Sequence, residues 1–352
     1  MPPVSLPATS SAGPSLRPVA IWVFACCAMI FVMVVLGGIT RLTHSGLSIV
    51  EWRPLLGWIP PLSQEAWAGL FAKYQATPEF QQINHAMTLP EFQSIFWMEY
   101  LHRLWGRLIG VVFLVPFLVF AAQGRIARRL WPAFAAVFVL GAFQGALGWY
   151  MVKSGLIERP DVSQYRLAAH LGAAFVIYGF LLWLGLDLID EGRRERALGA
   201  QKLWRRALAL TVLIFATAMA GAFTAGLDAG FAFNTFPLMG GRIVPEGAME
   251  LQPWYLNFFE NIATVQFTHR VLAIITFVLV VLFWIDARRR EIGGSARLAA
   301  DTLGALVCVQ MALGILTLLL VVPVPLAAAH QAGALVLFTA ALWTAHRLRA
   351  AV

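Results

Sequence analysis

The chain has 352 residues, of which 60% are hydrophobic and 12% charged, with a formal net charge of +8. Soluble domains carry about 25% charged residues, so this composition excludes an ordinary soluble protein and indicates an integral membrane protein. The surplus of positive charge does not mark a nucleic-acid binder, because the basic residues collect in short connections between apolar stretches.

A membrane-spanning helix needs roughly 20 mainly apolar residues. Eight such stretches are predicted, near 19–38, 98–122, 131–152, 166–188, 206–225, 264–285, 298–322 and 327–346. The expected fold class is therefore all-α: a polytopic membrane protein with eight transmembrane helices in two pseudo-symmetric four-helix bundles. Residues 1–190 form the first half, 191–206 a cytoplasmic linker and 207–352 the second half.

Met1 to Arg17 reads as a short disordered lead, and no cleavable signal is expected. Cys26 and Cys27 fall in the first span and Cys308 in the seventh, so no disulfide framework is expected. The outward segment 39–97 carries Trp52, Trp58, Trp67, Pro54, Pro60 and Pro61. Within it, 63–76 and 88–97 are predicted as interfacial helices with aromatic anchors, and its length suggests a cover over a site.

The basic residues set the orientation. Arg125, Arg128 and Arg129 follow the second span. Arg193, Arg194, Arg196, Lys202, Arg205 and Arg206 precede the fifth. Arg288, Arg289, Arg290 and Arg297 follow the sixth, and Arg347 and Arg349 end the last. These are alternate connections on one side of the membrane, which is the positive-inside asymmetry. Both termini are expected in the cytoplasm, and 39–97 and 226–263 are expected to face outward. The absence of an Arg-rich transit peptide favours a bacterial inner membrane.

Four histidines occupy matching places. His102 and His269 each precede an arginine, and His170 and His330 each follow two alanines. Trp183 and Trp343 follow the second pair at the same spacing. Gln144-Gly145-Ala146-Leu147-Gly148 resembles Gln310-Met311-Ala312-Leu313-Gly314, and Gly37 to Thr40 resembles Gly221 to Thr224. Such self-similarity is the mark of duplication. From each histidine to the next cytoplasmic basic cluster lie about 17–23 residues, roughly 25–35 Å of helix at about 1.5 Å per residue. All four are therefore predicted near the outer boundary.

Ionisable side chains inside a membrane are costly and usually functional. Zinc would take closed tetrahedral ligation with Cys or carboxylate. A di-iron carboxylate site would need glutamates on two helices and Glu-x-x-His on two more, and only Glu99-Tyr100-Leu101-His102 has that spacing. Bis-imidazole ligation of haem iron fits better, with one imidazole from each of two helices. Glu99 lies one turn from His102 on the same helix face. It could orient the imidazole, accept a proton or stabilise developing positive charge. The second half has Gln266 there instead. Arg103, Arg107, Arg270 and Arg41 are candidate partners for haem propionates through charge-assisted bonds. His44, His85 and His346 have no repeated partner and rank lower.

Several segments resemble the haem A synthases, in the branch found in proteobacteria and mitochondria. They are Gly37 to Ser48, Glu51-Trp52-Arg53-Pro54, Pro78-Glu79-Phe80, Phe96 to Arg103, Gly226 to Gly230, Asn234 to Met239 and Gln266 to Arg270. The resemblance implies an eight-helix inner-membrane oxidoreductase that converts haem O to haem A. A ring methyl would be oxidised to a formyl group through hydroxylated intermediates, and the product would serve cytochrome oxidase. It implies haem b as cofactor on His269 and His330, and substrate haem iron at His102 and His170, with Glu99 important for function. Some relatives carry a cysteine pair in an outward loop, which this chain lacks. Partners expected are haem O, the lipid bilayer, haem O synthase, cytochrome oxidase assembly factors and a second copy of the chain. A bis-histidine cytochrome b that only carries electrons, and a haem transporter or chaperone, remain alternatives.

Overall fold

The computed structural model describes residues 16–52, 57–156, 162–190 and 201–349. Residues 1–15 of the expected lead, Arg53 and Pro54, and Arg193, Arg194 and Arg196 of the expected linker lie outside the described residues, whereas Arg17 and, in the linker, Lys202, Arg205 and Arg206 are helical. Among the described residues eight helices are long and apolar enough to cross a membrane. They are α1 (Arg17–Leu42), α4 (Leu89–Ala122), α5 (Trp131–Gly155), α6 (Gln164–Ile189), α7 (Gln201–Gly226), α9 (Ile262–Arg288), α10 (Gly294–Leu319) and α11 (Val324–Leu348). Short helices α2 (Gln64–Gln75) and α3 (Pro78–Gln82) lie between α1 and α4, and α8 (Asn257–Glu260) lies between α7 and α9.

Helix starts are written in the sequence. Proline stands in the first turn of α1, α4, α5 and α11, where its missing N–H costs nothing. Asn261 caps α9 by accepting from the Thr264 N–H at 2.9 Å. The stretch 88–97, expected as a separate interfacial helix, is instead the first part of α4. The reason is a capping box: Glu91 accepts from the Thr88 N–H at 2.7 Å, and no breaker separates it from His102.

Helices α1, α6, α7 and α11 form the centre. α1 packs on α4, α6 and α11, while α7 packs on α6, α9 and α11. Burial follows this order. Of the most apolar stretch, 61% is buried in α6 but only 6% in α4. One hydrophobic cluster runs through all eight spans rather than stopping between the first four and the last four.

The periphery is uneven. α9 packs along α10, and α10 along α11. α5 packs on α6, whereas α4 and α5 meet where the last turns of α4 pass the start of α5, with Phe113 and Phe117 against Phe134 at ring-centroid distances of 6.4 and 5.7 Å.

The outward segment after α1 is folded onto the start of α4. Tyr74, Phe92, Phe96 and Tyr100 form a second small core, with Trp67 edge-on to Phe96 at 4.9 Å. The Tyr100 hydroxyl donates to the Trp58 carbonyl at 2.5 Å. Burial lifts the Tyr74 hydroxyl well above the usual phenol range, so it stays protonated and donates to Glu79 at 3.1 Å. This folded segment packs on the start of α4 and, through Leu47 against Gly155, on the end of α5.

Candidate haem-binding pairs

Each of the four histidines lies against a glycine of a neighbouring span. His102 on α4 faces Gly37 of α1, and His170 on α6 faces Gly148 of α5. His269 on α9 faces Gly221 of α7, and His330 on α11 faces Gly314 of α10. A methyl group at those glycines would lie 3.2, 3.0, 3.0 and 2.8 Å from the ring, respectively. Glycine lets the neighbouring backbone come this close to the imidazole. The repeated segments of the sequence thus contain the hollows in which the rings sit, a role that sequence reasoning had not assigned them.

The His269 and His330 rings have centroids 6.4 Å apart and planes at 78°. An imidazole nitrogen binds a transition metal at about 2.0 Å, so two rings facing one ion from opposite sides have centroids roughly 6 Å apart. The spacing fits iron held from two faces. His269 Nδ1 donates to the Thr217 carbonyl at 3.2 Å, which leaves Nε2 as the open nitrogen. Among the described residues no three His, Cys, Asp or Glu side chains come together as a metal-ligating group.

Gln310 and Gln144 do one job in both places. Gln310 Nε2 donates to the His330 carbonyl at 2.9 Å and lies 3.1 Å from its Nδ1. Gln144 Nε2 donates to the His170 carbonyl at 2.9 Å and lies 3.5 Å from its Nε2. Both glutamines marked the repeat in the sequence, and that was the only signal that could have found them.

Glu99 is fully engaged. Its Oε2 accepts from the Ser48 hydroxyl and the Ile49 N–H, both at 2.7 Å. Its Oε1 accepts from Arg103 Nε at 2.9 Å and Nη2 at 2.5 Å. Arg103 also donates to the carbonyls of Ile49 at 2.7 Å and Glu51 at 3.0 Å. The pair therefore ties the cover to α4.

Arg270 does the same for the second outward segment. It donates to the carbonyls of Phe233 at 2.6 Å and Thr235 at 2.7 Å, and Gln266 Nε2 also donates to Phe233, at 3.2 Å. Arg41 bridges the two groups of spans, donating to the Ala225 carbonyl at 2.8 Å and Asp228 Oδ1 at 2.9 Å. Arg107 holds its guanidinium 5.9 Å from the Trp58 ring centre. Of the lower-ranked histidines, His346 is buried at the opposite end of the molecule, 3.0 Å from Asp187 and edge-on to Trp183. Cys26 and Cys27 are buried and Cys308 exposed, all as free thiols.

Residues 20–342 match the COX15-CtaA family, described as cytochrome oxidase assembly protein. The chain belongs to this family. Relatives named heme A synthase include one from Nitrosospira multiformis, 54% identical over 334 residues, covering 95% of this chain and 94% of the relative. One from Paramagnetospirillum magneticum is 52% identical, covering 94% of each. A heme A synthase COX15 from Bos taurus is 46% identical over 98% of this chain and 84% of its own length.

Proposed function

We propose that this protein is a haem A synthase, an oxidoreductase acting on a CH3 group. It oxidises a ring methyl of haem O to a formyl group through hydroxylated intermediates and so makes haem A for cytochrome oxidase. The relatives' shared name supports the reading, and the observation that carries it is the pair of matched imidazole sites, each hollowed by glycines.

In this reading His102 and His170 hold the iron of the substrate haem O, and His269 and His330 hold haem b. When bound, haem b supplies a one-electron redox centre beside the substrate half. Thr217 and Gln310 orient its ligands. Gln144 positions His170 from α5. Glu99 is a positioning residue: with Arg103 it fixes Ser48 to Glu51 above the substrate site and keeps water from its outer side. Arg103, Arg270 and Arg107 supply positive charge at the outer end, where the propionates of each haem would lie, while Arg41 ties the two groups of spans together.

Residues 1–190 and 207–352 act as repeated halves. The protein sits in a bacterial inner membrane with both termini cytoplasmic and the haem sites toward the periplasmic side. It receives haem O from its synthase and meets cytochrome oxidase assembly factors or a second copy of itself.

The test is expression in a host that makes haem O but not haem A, followed by analysis of extracted haems. Haem A with its hydroxylated precursors is expected. A folded, haem-loaded protein that yields neither would sink the reading and leave an electron-carrying cytochrome b.

A further inference from the structure

We infer that the gap between α4 and α5 is the lateral entry and seat of the substrate's isoprenoid tail, reached from the lipid. The inference rests on the reading of His102 and His170 as the haem O site. Haem O bears a long, thin, branched hydrocarbon chain, and such a molecule dissolves in the bilayer rather than in water.

The facing stripes of α4 and α5 are filled at one end and hollow at the other. At the cytoplasmic end Phe113 and Phe117 meet Phe134, and Phe117 meets Trp131 at 5.9 Å between ring centres. Beyond them α4 carries Gly106, which lies against Met33 of α1, and Gly110, while α5 carries Gly141, Gly145 and Gly148. A methyl group at Gly110, Gly141 or Gly145 would meet nothing within 4 Å.

The second half shows what a closed version looks like. In the repeat, Ala273 and Phe277 stand where Gly106 and Gly110 are, and Val307 and Met311 stand for Gly141 and Gly145. There α9 packs along α10, Phe277 joins the core and Val307 is buried. Side chains that close one pair of helices are missing from the other.

The slot leads to chemistry at its inner and outer ends. Inside, Gly148 abuts His170, whose Nδ1 is buried without a hydrogen-bond partner, as is Oε1 of Gln144. Outside, a cavity of about 220 Å³ lies between the cover and the two helices, lined by Trp52, Arg103, Trp149, Val152 and Lys153. Lys153 places a cation on its rim beside the Glu99-paired Arg103, suited to a carboxylate at a macrocycle's polar edge. A flat ring at the histidines, its carboxylates outward and its tail along the glycine slot, uses all three regions at once. A lipid acyl chain is the competing occupant.

The experiment fills the slot with the second half's own residues, Gly110→Phe and Gly141→Val with Gly145→Met. Haem b content and spectrum are read alongside conversion of haem O. The KM for haem O is expected to rise about tenfold or more with haem b intact, the size of effect that blocking an apolar pocket produces. Wild type is run in parallel: if it makes no haem A, the proposed function fails, whereas a filled variant with unchanged KM overturns the slot alone. Gly141→Cys and Gly145→Cys keep the test open if filling prevents folding. Their labelling by a lipid-soluble maleimide should be blocked by haem O but not by tail-less protohaem. Equal labelling with either haem means that the slot holds only lipid, and the inference is wrong.

Discussion

Glu99 and Gln266 occupy the same place in the two halves, three residues before a histidine and four before an arginine, and the difference between them is set by the loops they hold. The first cover presents donors, the Ser48 hydroxyl and the Ile49 N–H, so a carboxylate suits it. The second presents the Phe233 carbonyl, so an amide N–H suits it. A membrane carboxylate beside a histidine invites a proton-transfer role, yet here both oxygens are already taken. In the structure the Glu99/Gln266 difference matches the different donors and acceptors that the two loops present. A second asymmetry, the one we propose to matter for substrate, lies between the α4–α5 pair and the closely packed α9–α10 pair.

The hardest way to break this comparison is to remove ligands from one half at a time. His269→Ala and His330→Ala are expected to abolish stably bound haem b, because a bis-imidazole site loses half its protein ligands. His102→Ala is expected to retain haem b and lose conversion. Haem content by absorption spectroscopy of the purified variants decides it. Loss of haem b in all three to the same extent means the halves do not divide the work.

Glu99→Gln comes next. The Arg103 side chain is 12% exposed and that of Glu99 3%, so removing one charge strands the other in a poorly hydrated place. Breaking such a pair from one side costs roughly 3–5 kcal/mol. The expected result is retained haem b, conversion lowered about a hundredfold or more, and a cover that limited proteolysis now cuts near Ser48 to Trp52. Ser48→Ala removes one of four bonds and should cost about 1 kcal/mol, with conversion reduced in proportion. Full conversion by Glu99→Gln would show the clasp to be dispensable.

These outcomes also bear on what the sequence makes visible. The spans were legible because a run of about 20 apolar residues has few other uses. The pairing of the histidines was legible because duplication repeats its neighbours. Two things were hidden. The start of α4 was set by Thr88 and Glu91, a capping signal that stands in the sequence but was outweighed by the aromatic look of 88–97. The loop targets of Arg103 and Arg270 were hidden altogether, because they are backbone carbonyls, and a carbonyl leaves no mark on the residue type that carries it. The glycine hollows lie between: the glycines repeat visibly, but Gly37 meets His102 only through the packing of α1 on α4.

Those hollows allow a finer comparison. Gly314→Ala places a methyl 2.8 Å from His330, and Gly148→Ala places one 3.0 Å from His170. Contacts this close force the ring to tilt or the helices to part, at about 1–3 kcal/mol for overpacking. Gly314→Ala is expected to shift the haem b absorption bands and weaken retention of the group, leaving substrate KM alone. Gly148→Ala should do the reverse, raising KM with the haem b spectrum unchanged. Each change crossing into the other half's readout would show that the two sites are one.

The smallest effect is expected at Arg41, which joins the outer ends of the two halves through Asp228. The two side chains are 20% and 50% exposed, so solvent screens the pair and it contributes at most about 1 kcal/mol. Asp228→Asn leaves the bond from Arg41 to the Ala225 carbonyl and should lower thermal stability only slightly, with haem b spectrum and conversion unchanged. Arg41→Gln removes both bonds and should add little more. The halves are already joined through the packing of α1 on α11 and of α6 on α7 and α11. A loss of haem b or of conversion in Arg41→Gln but not in Asp228→Asn would instead assign Arg41 to an anionic haem edge, the role the sequence suggested. Comparing the two variants therefore separates a charge that holds protein to protein from one that holds protein to ligand.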